Sequence, residues 1–574
     1  MAFQVSPGVQ VNEVDLTNVV PAVSTSTGAI AGAFSWGPVD EVVRVSSEGE
    51  LVDRFFEPND TTFRYFMPAA QFLQYSNDLR VVRTANEGQQ NASQSSGVLV
   101  KNEDDYESQA FSSGINYIAK YPGSLGNSLK VIVVTNETSF SDASFTNPGY
   151  DRLFTSTPGY PGTTEYGENR GVIGDEMHIV VIDENGLFTG SPGEVLEVFE
   201  GVSQASDAKA ADGTSNYYVN VLNRRSQYVW VGQEDSSLPE SGVSTADKDN
   251  LVEVSDGHEY TTSDSPLTYS FESGSDGTSL DPSDGELQTA YNLFDDPESV
   301  DVSLIIGPYV DSASDSAIAN YIISIAESRK DAIAFVSPST SRTTSGTGVV
   351  DDVISWANDI NSSSYGVLDS SSVYVYDKYN DKFRYIIAAG TLAGLCANTD
   401  NVADPWFSPA GFNRGQLRNV TKLAFNPNRS ERDSLYQARV NPLVSFPGQG
   451  TVMFGDRTAL VRPSAFDRIN VRRLFITLEK SISIASRAQL FELNDEFTRA
   501  QFRNLVEPFL RDVQGRRGVT DFRVVCDDTN NTPEVIDSNR FVADIFIKPA
   551  RSINFIQLNF VAVRTGVEFS EIAG

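Results

Sequence analysis

Apolar and polar residues alternate at both ends of the chain, and this alternation predicts an extended strand at each terminus. The C-terminal stretch SINFIQLNFVAVRTGVEF keeps the pattern over many residues. A strand at the extreme end of a chain needs a partner strand to satisfy its backbone groups. The apolar positions are Val5, Val9, Val11 and Val14 at one end, and Phe555, Ile556, Leu558, Phe560, Val561 and Val563 at the other.

Between the ends, strands alternate with helices. TSTGAIAGAFSWGPVDEVVRV predicts two short strands around Gly37-Pro38, and YFMPAAQFLQYSNDLRVVR predicts a helix after Pro68 that leads into a strand over 79–83. Later, the apolar runs VDVSLIIGP and AIAFVSP flank the amphipathic SAIANYIISIAESRKD. This order predicts a βαβ unit with parallel strands and a right-handed crossover.

SSVYVYDKY and KFRYIIAAGTLAGLCANTD continue the alternation up to a Pro- and Gly-rich stretch, DPWFSPAGFNRGQL, where we expect a domain junction. Beyond it, residues 467–519 have helical spacing with Pro508 as an internal interruption, and TDFRVVCDD and RFVADIFIKPA predict strands. The expected fold is therefore multidomain, α/β and α+β. It combines terminal strand arms, a middle domain with the βαβ unit, a C-terminal α+β core domain and a strand-rich surface insertion.

The distribution of charge marks residues 87–298 as the expected surface insertion. The 574 residues carry a net charge of −34, and residues 87–298 hold 9 Lys and Arg against 36 Asp and Glu, whereas residues 405–574 hold 23 against 18. Short apolar runs such as LKVIVV, MHIVVID and SQYVWV lie between polar loops there, which predicts strand-rich, solvent-facing insertions rather than disorder. The Asp-Gly pairs of residues 255–286 raise the question of calcium, but their spacing does not match an EF-hand loop, so acidic turns are favoured.

Composition narrows the classes of function. The acidic balance would repel a DNA backbone, so no nucleic acid is expected as a partner. Without a run of 18 apolar residues, no membrane insertion is expected, and MAFQVSPGVQVNEVDL lacks the features of a secretory or transit peptide. Cys396 and Cys526 are far apart, which favours buried free thiols over a disulfide or metal site.

One stretch, FPGQGTVMFGDRTAL, has the glycine spacing of a phosphate-binding loop between Gly450 and Gly455. That chemistry requires a Lys for the phosphates and a Ser or Thr for magnesium, but Asp456 and Arg457 follow instead. We therefore predict a turn and strand in which these four residues are structural, with fixed polar contacts at Asp456 and Arg457. No nucleotide is expected as a cofactor.

Other catalytic chemistry also lacks support in the sequence. His178 and His258 are the only histidines, and each stands alone, which is typical of structural or solvated histidines. The 77 acidic residues supply many carboxylate pairs, but none has a distinguishing context. We therefore expect no catalytic residue, metal ligand or cofactor, and no enzyme.

A basic tract, which also contains Arg472 and Arg473, runs through the predicted C-terminal helices. It is consistent with a solvated, salt-bridged helix surface or with an interface to an acidic partner, and the sequence leaves both open. The candidates for such an interface are Arg487, Arg499, Arg503, Arg511, Arg516 and Arg517.

Several stretches, in this order and spacing, resemble the contractile tail sheath family of bacteriophages with long contractile tails. Phe454 departs from the Trp of many relatives, and residues 87–298 resemble the insertions that decorate larger sheaths. The matching stretches are SPGVQVNEVD, STGAIAGAFSWGP, AAQFLQYSNDLRVVR, IAKYPGSLGNSLKV, ADPWFSPAGFNRGQL, FPGQGTVMFGDRTAL, RINVRRLFITLEKSI, and the run from QFRNLVEPFLRD to INFIQLNFVAVRTGV.

The resemblance implies a structural subunit that polymerises helically around an inner tail tube and contracts to drive the tube through the host envelope, with no catalytic site. Implied partners are other copies of the chain, the tube protein, and baseplate and tail-terminator proteins, in a virion tail assembled in the host cytoplasm. The alternative is a virion surface adhesin, or a glycan-binding or glycan-degrading protein, that uses the acidic segment.

The resemblance also implies a division of the chain, in which the arms complete sheets in neighbouring subunits and the arginines listed above face the tube. The expected units are a linking arm over 1–20, an α/β sheath domain over 21–86 and 299–404, an outer insertion over 87–298, a tube-facing core domain over 405–552, and a strand and linking arm over 553–574.

Overall fold

A computed structural model of the chain describes residues 20, 24–112, 114–156, 158–255, 257–311, 313–554 and 556–557. Of the predicted arm positions, only Ile556 is among them, and its side chain is exposed. The others lie outside the described residues, namely Val5, Val9, Val11, Val14, Phe555, Leu558, Phe560, Val561 and Val563.

The strands in chain order are β1 (Gly28–Gly32), β2 (Val42–Val45), β3 (Leu79–Arg83), β4 (Gln89–Gln90), β5 (Tyr117–Ala119), β6 (Leu129–Val134), β7 (Val172–Ile173), β8 (Glu176–Asp183), β9 (Glu194–Ser203), β10 (Val229–Val231), β11 (Val252–Val254), β12 (Gly257–Glu259), β13 (Leu267–Ser270), β14 (Ser275–Asp276), β15 (Leu304–Ile306), β16 (Ile333–Val336), β17 (Gly366–Asp369), β18 (Val373–Asp377), β19 (Lys382–Ile386), β20 (Lys422–Leu423), β21 (Val440–Asn441), β22 (Leu443–Phe446), β23 (Gly450–Met453), β24 (Val519–Val525) and β25 (Asp544–Pro549).

The α-helices are α1 (Glu48–Phe55), α2 (Phe63–Leu73), α3 (Glu103–Ser108), α4 (Glu137–Phe140), α5 (Ala143–Thr146), α6 (Glu165–Glu168), α7 (Tyr218–Arg225), α8 (Asp284–Asn292), α9 (Asp315–Arg329), α10 (Thr340–Thr344), α11 (Val349–Asp359), α12 (Ala389–Val402), α13 (Arg429–Gln437), α14 (Ile469–Ser486), α15 (Glu496–Gly515) and α16 (Pro533–Asp537).

A seven-stranded sheet in the order β2-β3-β1-β15-β16-β17-β21 forms the centre of the fold. The β2–β3 pair is antiparallel and the other pairings are parallel. Strands β1, β15 and β16 are buried along their whole length, as expected for parallel strands that are covered on both faces. Helix α9 connects β15 to the parallel β16, so the predicted βαβ unit is confirmed.

Helix α2 begins at Phe63, five residues before Pro68, so the prediction that it starts after this proline is wrong. The side chain of Asn59 accepts hydrogen bonds from the backbone of Thr61 and Thr62, and this turn leads directly into the helix. Pro68 is buried where α2 packs against α12. At Gly390 of α12 an added Cβ would lie 2.1 Å from the Pro68 carbonyl oxygen, so this packing requires glycine.

Residues 87–298 are rich in strands, as predicted. Their largest sheet has the order β13-β6-β8-β9 and is antiparallel, with apolar clusters on both faces. Helix α8 also falls inside this range, but its Leu287 and Tyr291 belong to the central core beside the parallel sheet. The acidic segment is therefore a folded layered unit, and its last helix packs with the centre of the molecule.

The central sheet continues beyond the junction predicted at residues 404 and 405, because β21 pairs with β17. A separate C-terminal core forms around α14, α15 and the β24–β25 ribbon, and Trp406, Phe502 and Val506 are buried in it. Helix α15 runs unbroken through Pro508, so the predicted interruption is wrong. Cys396 and Cys526 are buried free thiols, as predicted.

Candidate interaction surfaces

The stretch that resembles a phosphate loop forms a β-hairpin. Strands β22 and β23 pair antiparallel across a turn in which Gly448 has a φ of 76°, and Gly450 opens the second strand with a φ of 82°. Gly455 follows the hairpin, and a Cβ there would lie 2.9 Å from the Asn441 side-chain oxygen. The glycines therefore serve backbone conformation and close packing.

Asp456, which follows the hairpin, is buried and gathers polar groups from distant parts of the chain. The Ser552 hydroxyl donates to Asp456 Oδ2 at 2.6 Å, and the Ser408 hydroxyl donates to the same oxygen at 3.2 Å. Arg468 Nη1 donates to Asp456 Oδ1 at 3.2 Å. Asn554 Nδ2 donates to Asp456 Oδ1 at 3.5 Å and to the Tyr436 hydroxyl at 2.9 Å.

Arg468 and Arg457 tie this cluster to its surroundings. Arg468 also donates to the Tyr436 hydroxyl, and burial raises the pKa of that phenol. Burial opposes the charge of Arg468, but Tyr436 and Asp456 together raise the pKa of its guanidinium. Arg457 donates from Nη1 to the Tyr436 carbonyl at 2.7 Å, and its backbone N–H donates to Asn441 Oδ1 at 2.7 Å. A charged cluster thus holds the chain at 552–554, where the predicted C-terminal arm begins.

A second buried charge cluster lies where the described chain emerges from the predicted N-terminal arm. Arg473 of α14 donates to both oxygens of Asp400 of α12, at 2.8 and 2.6 Å. The Thr25 hydroxyl donates to Asp400 Oδ2 at 2.6 Å, and Arg473 also donates to the Thr25 carbonyl at 3.3 Å. Both ionic side chains are almost fully buried, with 3% and 9% of their surface exposed.

The predicted basic tract divides into buried and exposed arginines. Arg472 and Arg473 are buried, as is Arg499, which donates to Asp528 at 2.6 Å. Arg516 is half exposed and pairs with Asp404 and Asp512. Arg503 is half-buried, and the exposed members are Arg487, Arg511 and Arg517. Helical spacing in the sequence did not reveal which arginines are internal.

The β24–β25 ribbon offers backbone groups for further pairing. It has two strands, and within the described ranges neither outer edge pairs with another strand. Exposed and half-buried residues alternate along β25, so one face lies on the C-terminal core and the other faces solvent. Unpaired edges of this kind accept an added strand through main-chain hydrogen bonds.

The two histidines lie in separate strands, His178 in β8 and His258 in β12. His178 Nδ1 accepts from the Gly201 N–H at 3.0 Å, and its ring stacks on Phe154 with centroids 4.5 Å apart. Burial lowers the pKa of His178, which favours the neutral ring. His258 is half-buried in β12. Among the described residues, no group of three or more His, Cys, Asp or Glu side chains is arranged to hold a metal ion.

Comparison with known sequences decides the family. Three sequence models match: the phage tail sheath protein central domain over 286–459, the phage tail sheath C-terminal domain over 461–562, and the N-terminal region of domain III of the tail sheath protein Gp18 over 25–84. The tail sheath protein of enterobacteria phage T4 is 34% identical over 663 aligned positions, which cover 99% of both chains. The chain belongs to the phage tail sheath family.

Further relatives agree with this assignment. The tail sheath protein of Vibrio phage KVP40 is 34% identical, with 99% of both chains covered, and that of Salmonella phage ViI is 32% identical, with 100% of this chain and 98% of the relative covered. These full-length matches identify a contractile tail structural protein. They give no support to the adhesin or glycan-degrading alternative.

Solved structures show the same fold at low identity. The sheath tail protein of Desulfitobacterium hafniense matches with a TM-score of 0.51 and 11% identity, over 95% of this chain and all of that chain. The helical sheath of the anti-feeding prophage in its contracted state matches with a TM-score of 0.50 and 12% identity, over 98% of this chain and 99% of that chain. The expectation of a mixed α/β, multidomain fold is thereby confirmed. Within the described residues, no helix of this sheath protein is long and apolar enough to cross a membrane.

Proposed function

We propose that copies of this chain polymerise helically around an inner tail tube and that the polymer shortens to drive the tube through the host envelope. The observation that carries the proposal is the 34% identity to the T4 tail sheath protein over 99% of both chains. The anti-feeding prophage relative forms a helical sheath with a contracted state, which supports the same behaviour here. No catalytic step is part of the proposal.

The linkage between subunits follows from strand pairing. The terminal arms, at 1–20 and 553–574, alternate apolar and polar residues, and the β24–β25 ribbon has edges without a strand partner in the described ranges. In our proposal an arm of one copy adds to such a sheet in a neighbouring copy, so that hydrogen bonds give cohesion and alternate side chains set the register. Because this contact joins different surfaces, it continues into an open helix rather than closing into a dimer.

The free energy of contraction comes, in this proposal, from the lattice. An extended sheath that makes fewer contacts than the contracted one is metastable, and the switch between two packings needs no bound nucleotide. Calorimetry of isolated polymers tests this in nucleotide-free buffer. Contraction that releases heat or proceeds spontaneously supports the proposal, whereas contraction that requires added nucleotide would overturn it.

The placement of the chain in the tail follows from charge. The acidic segment 87–298 faces outward, and the C-terminal core faces the tube, with Arg487, Arg503, Arg511, Arg516 and Arg517 as the candidates for contact. Arg499, which the sequence also offered, is left out of this proposed set because its side chain is buried and pairs with Asp528. Partly or fully exposed charges of this kind guide register while remaining breakable during sliding.

Baseplate and tail-terminator proteins complete the proposed set of partners, in a virion tail assembled in the host cytoplasm.

The deciding experiment deletes residues 1–18 and follows polymer formation by electron microscopy. Loss of tubes with retention of the folded monomer supports strand linkage. Normal tubes would refute the arm mechanism and leave the family assignment unchanged.

The alternation of the arm provides a matched pair of variants. Replacing Val9 and Val11 by Ser removes side chains from the apolar face, whereas replacing Gln10 and Asn12 by Ser changes only the polar face. We expect the first variant to raise the concentration needed for assembly and the second to leave it unchanged. Equal effects would contradict the assignment of faces.

A further inference from the structure

We propose that Arg473 and Asp456 are the positioning residues of the two arms, and that the start of helix α14 holds both arm roots. The N-terminal root is the chain at 24–27, and the C-terminal root is the chain at 552–554. The inference rests on the proposed function, in which the arms join subunits. It adds which side chains fix the direction in which each arm leaves the subunit.

The N-terminal root is held through its backbone and its side chain. Asp400 accepts the Thr25 hydroxyl, while Arg473 donates to the Thr25 carbonyl and to Asp400. The Thr27 carbonyl accepts the N–H groups of Ser303 and Leu304, each at 3.0 Å, at the start of β15. The root is thus fixed at Thr25 by two helices and at Thr27 by the central sheet.

The C-terminal root is held by side-chain hydrogen bonds. The Ser552 hydroxyl and the Asn554 amide both donate to Asp456, and Asn554 also donates to Tyr436. Asp456 is 4% exposed, so water competes little with these bonds. Its backbone carbonyl accepts the N–H of Ile469, the first residue of α14.

The two clusters meet on one helix. Arg468 is the residue that precedes α14 and pairs with Asp456, and Arg473 lies five positions further along. At 1.5 Å per residue, about 7.5 Å of helix axis separates the two positions. A displacement of one arm root is therefore passed to the other through less than two turns of helix, without crossing the acidic segment.

The first test asks whether Ser552 fixes the C-terminal root. Ile556 and Ser430, which are both exposed, are replaced by cysteines that carry spin labels, whereas the native cysteines are buried. The distance distribution between the two labels is then measured in the monomer of the whole chain. We expect one narrow distribution, broadened by Ser552→Ala, which leaves Asp456 its bonds from Arg468 and Ser408. Ser538→Ala, which removes an exposed local hydroxyl contact, is the control and leaves the distribution narrow. An unchanged distribution in Ser552→Ala would overturn the role of Asp456.

The second test asks whether the roots matter for assembly. Ser552→Ala and Thr25→Val each remove one hydrogen bond to a buried carboxylate, and such a bond to a charged group corresponds to roughly a tenfold change in an equilibrium constant. We expect each variant to raise the concentration needed for polymer formation about tenfold while monomer melting changes little. Thr289→Val, an exposed helical position, is the control for the second variant.

The outcomes separate the two proposals. Loss of tubes on deleting residues 1–18, with both root variants assembling normally, would refute the positioning roles and keep the arm linkage. Normal assembly of the deletion would refute the linkage itself. Reduced assembly in the root variants, and restoration by Ser552→Thr, which keeps the hydroxyl, would support the positioning role over a general loss of stability.

Discussion

Replacing Asp400 by Ala tests the buried ion pair that holds the N-terminal root. Among the residues that the structure describes, the substitution leaves the Arg473 guanidinium with two carbonyl acceptors, Cys396 at 3.2 Å and Thr25 at 3.3 Å. Because the pair is almost wholly buried, solvent screens the remaining charge little. Removal of one partner from a buried pair costs about 3–5 kcal/mol, so we expect a local destabilisation of that order.

Cys396 supplies the assay, because its carbonyl is bonded to Arg473 and its thiol is buried. Burial raises the pKa of this thiol to about 12, so a maleimide reacts with it only after local opening. A loss of about 3–5 kcal/mol raises the labelling rate by roughly two to four orders of magnitude. Labelling of Cys526, in the separate C-terminal core, serves as the internal reference.

Two further variants serve as controls for the labelling of Cys396. Asp433→Ala, on the exposed side of α13, removes a surface carboxylate and leaves the labelling rate of Cys396 unchanged. The double variant Asp400→Ala with Arg473→Leu removes both charges and recovers most of the loss, because replacing a buried pair by apolar groups is often neutral. If Asp400→Ala alone raised the labelling rate of Cys396 less than tenfold, that result would refute the claim that the Arg473–Asp400 ion pair is shielded from water and tightly coupled.

Three other predictions test the core, its titration and the proposed tube contact. Burial raises the pKa of Asp369 to about 7, above its ordinary value of 3.8, so the free energy of unfolding that Asp369 contributes falls as pH rises from about 4 to 7. Asp369→Asn therefore resists urea better than the parent chain at pH 8, and this difference is smaller at pH 5. Gly390→Ala forces a Cβ to 2.1 Å from a carbonyl and costs at least ~1–3 kcal/mol in urea unfolding, whereas Gly285→Ala meets nothing within 4 Å and is neutral or stabilising. Arg503→Glu with Arg511→Glu weakens tube binding in a salt-dependent way, and unchanged binding would argue against a tube-facing C-terminal core.

Local patterns in the sequence predicted the elements whose signals are strong and contiguous. The buried runs at β15 and β16 and the helical spacing of α9 were sufficient for the βαβ unit. The strand over 79–83 was predicted with its observed bounds. By contrast, β21 has two residues and no pattern of its own, so its pairing with β17 across the predicted junction could not be anticipated.

Two predictions that relied on prolines, the start of α2 and the interruption of α15, were wrong. At α2, hydrogen bonds around Asn59 and Thr62 begin the helix ahead of Pro68, and the close packing of α12 covers the position. At α15, Pro508 lies in the middle of twenty helical residues. Pro68 is buried against α12, whereas Pro508 is itself exposed on a helix whose other face is buried in the C-terminal core. The packing of the helix as a whole outweighs one missing backbone hydrogen bond, and a rule based on one residue type does not include that packing.

The polar clusters show a similar limit. The sequence predicted fixed polar contacts at Asp456, but its partner Ser552 is 96 positions away, and Thr25 and Asp400 are separated by 375. No periodic signal connects residues at such distances. Burial of Arg473 and Arg499 likewise depends on carboxylates from other elements, whereas their spacing alone is equally typical of an exposed basic helix.

Electron microscopy of the purified chain with an inner tail tube protein, in nucleotide-free buffer, tests directly whether the chain forms a contractile sheath. We expect tubes built of helical layers around the inner tube, which become shorter and wider when a trigger such as mild warming is applied. Persistent monomers or closed trimers under these conditions, or shortening only after nucleotide is added, would contradict it.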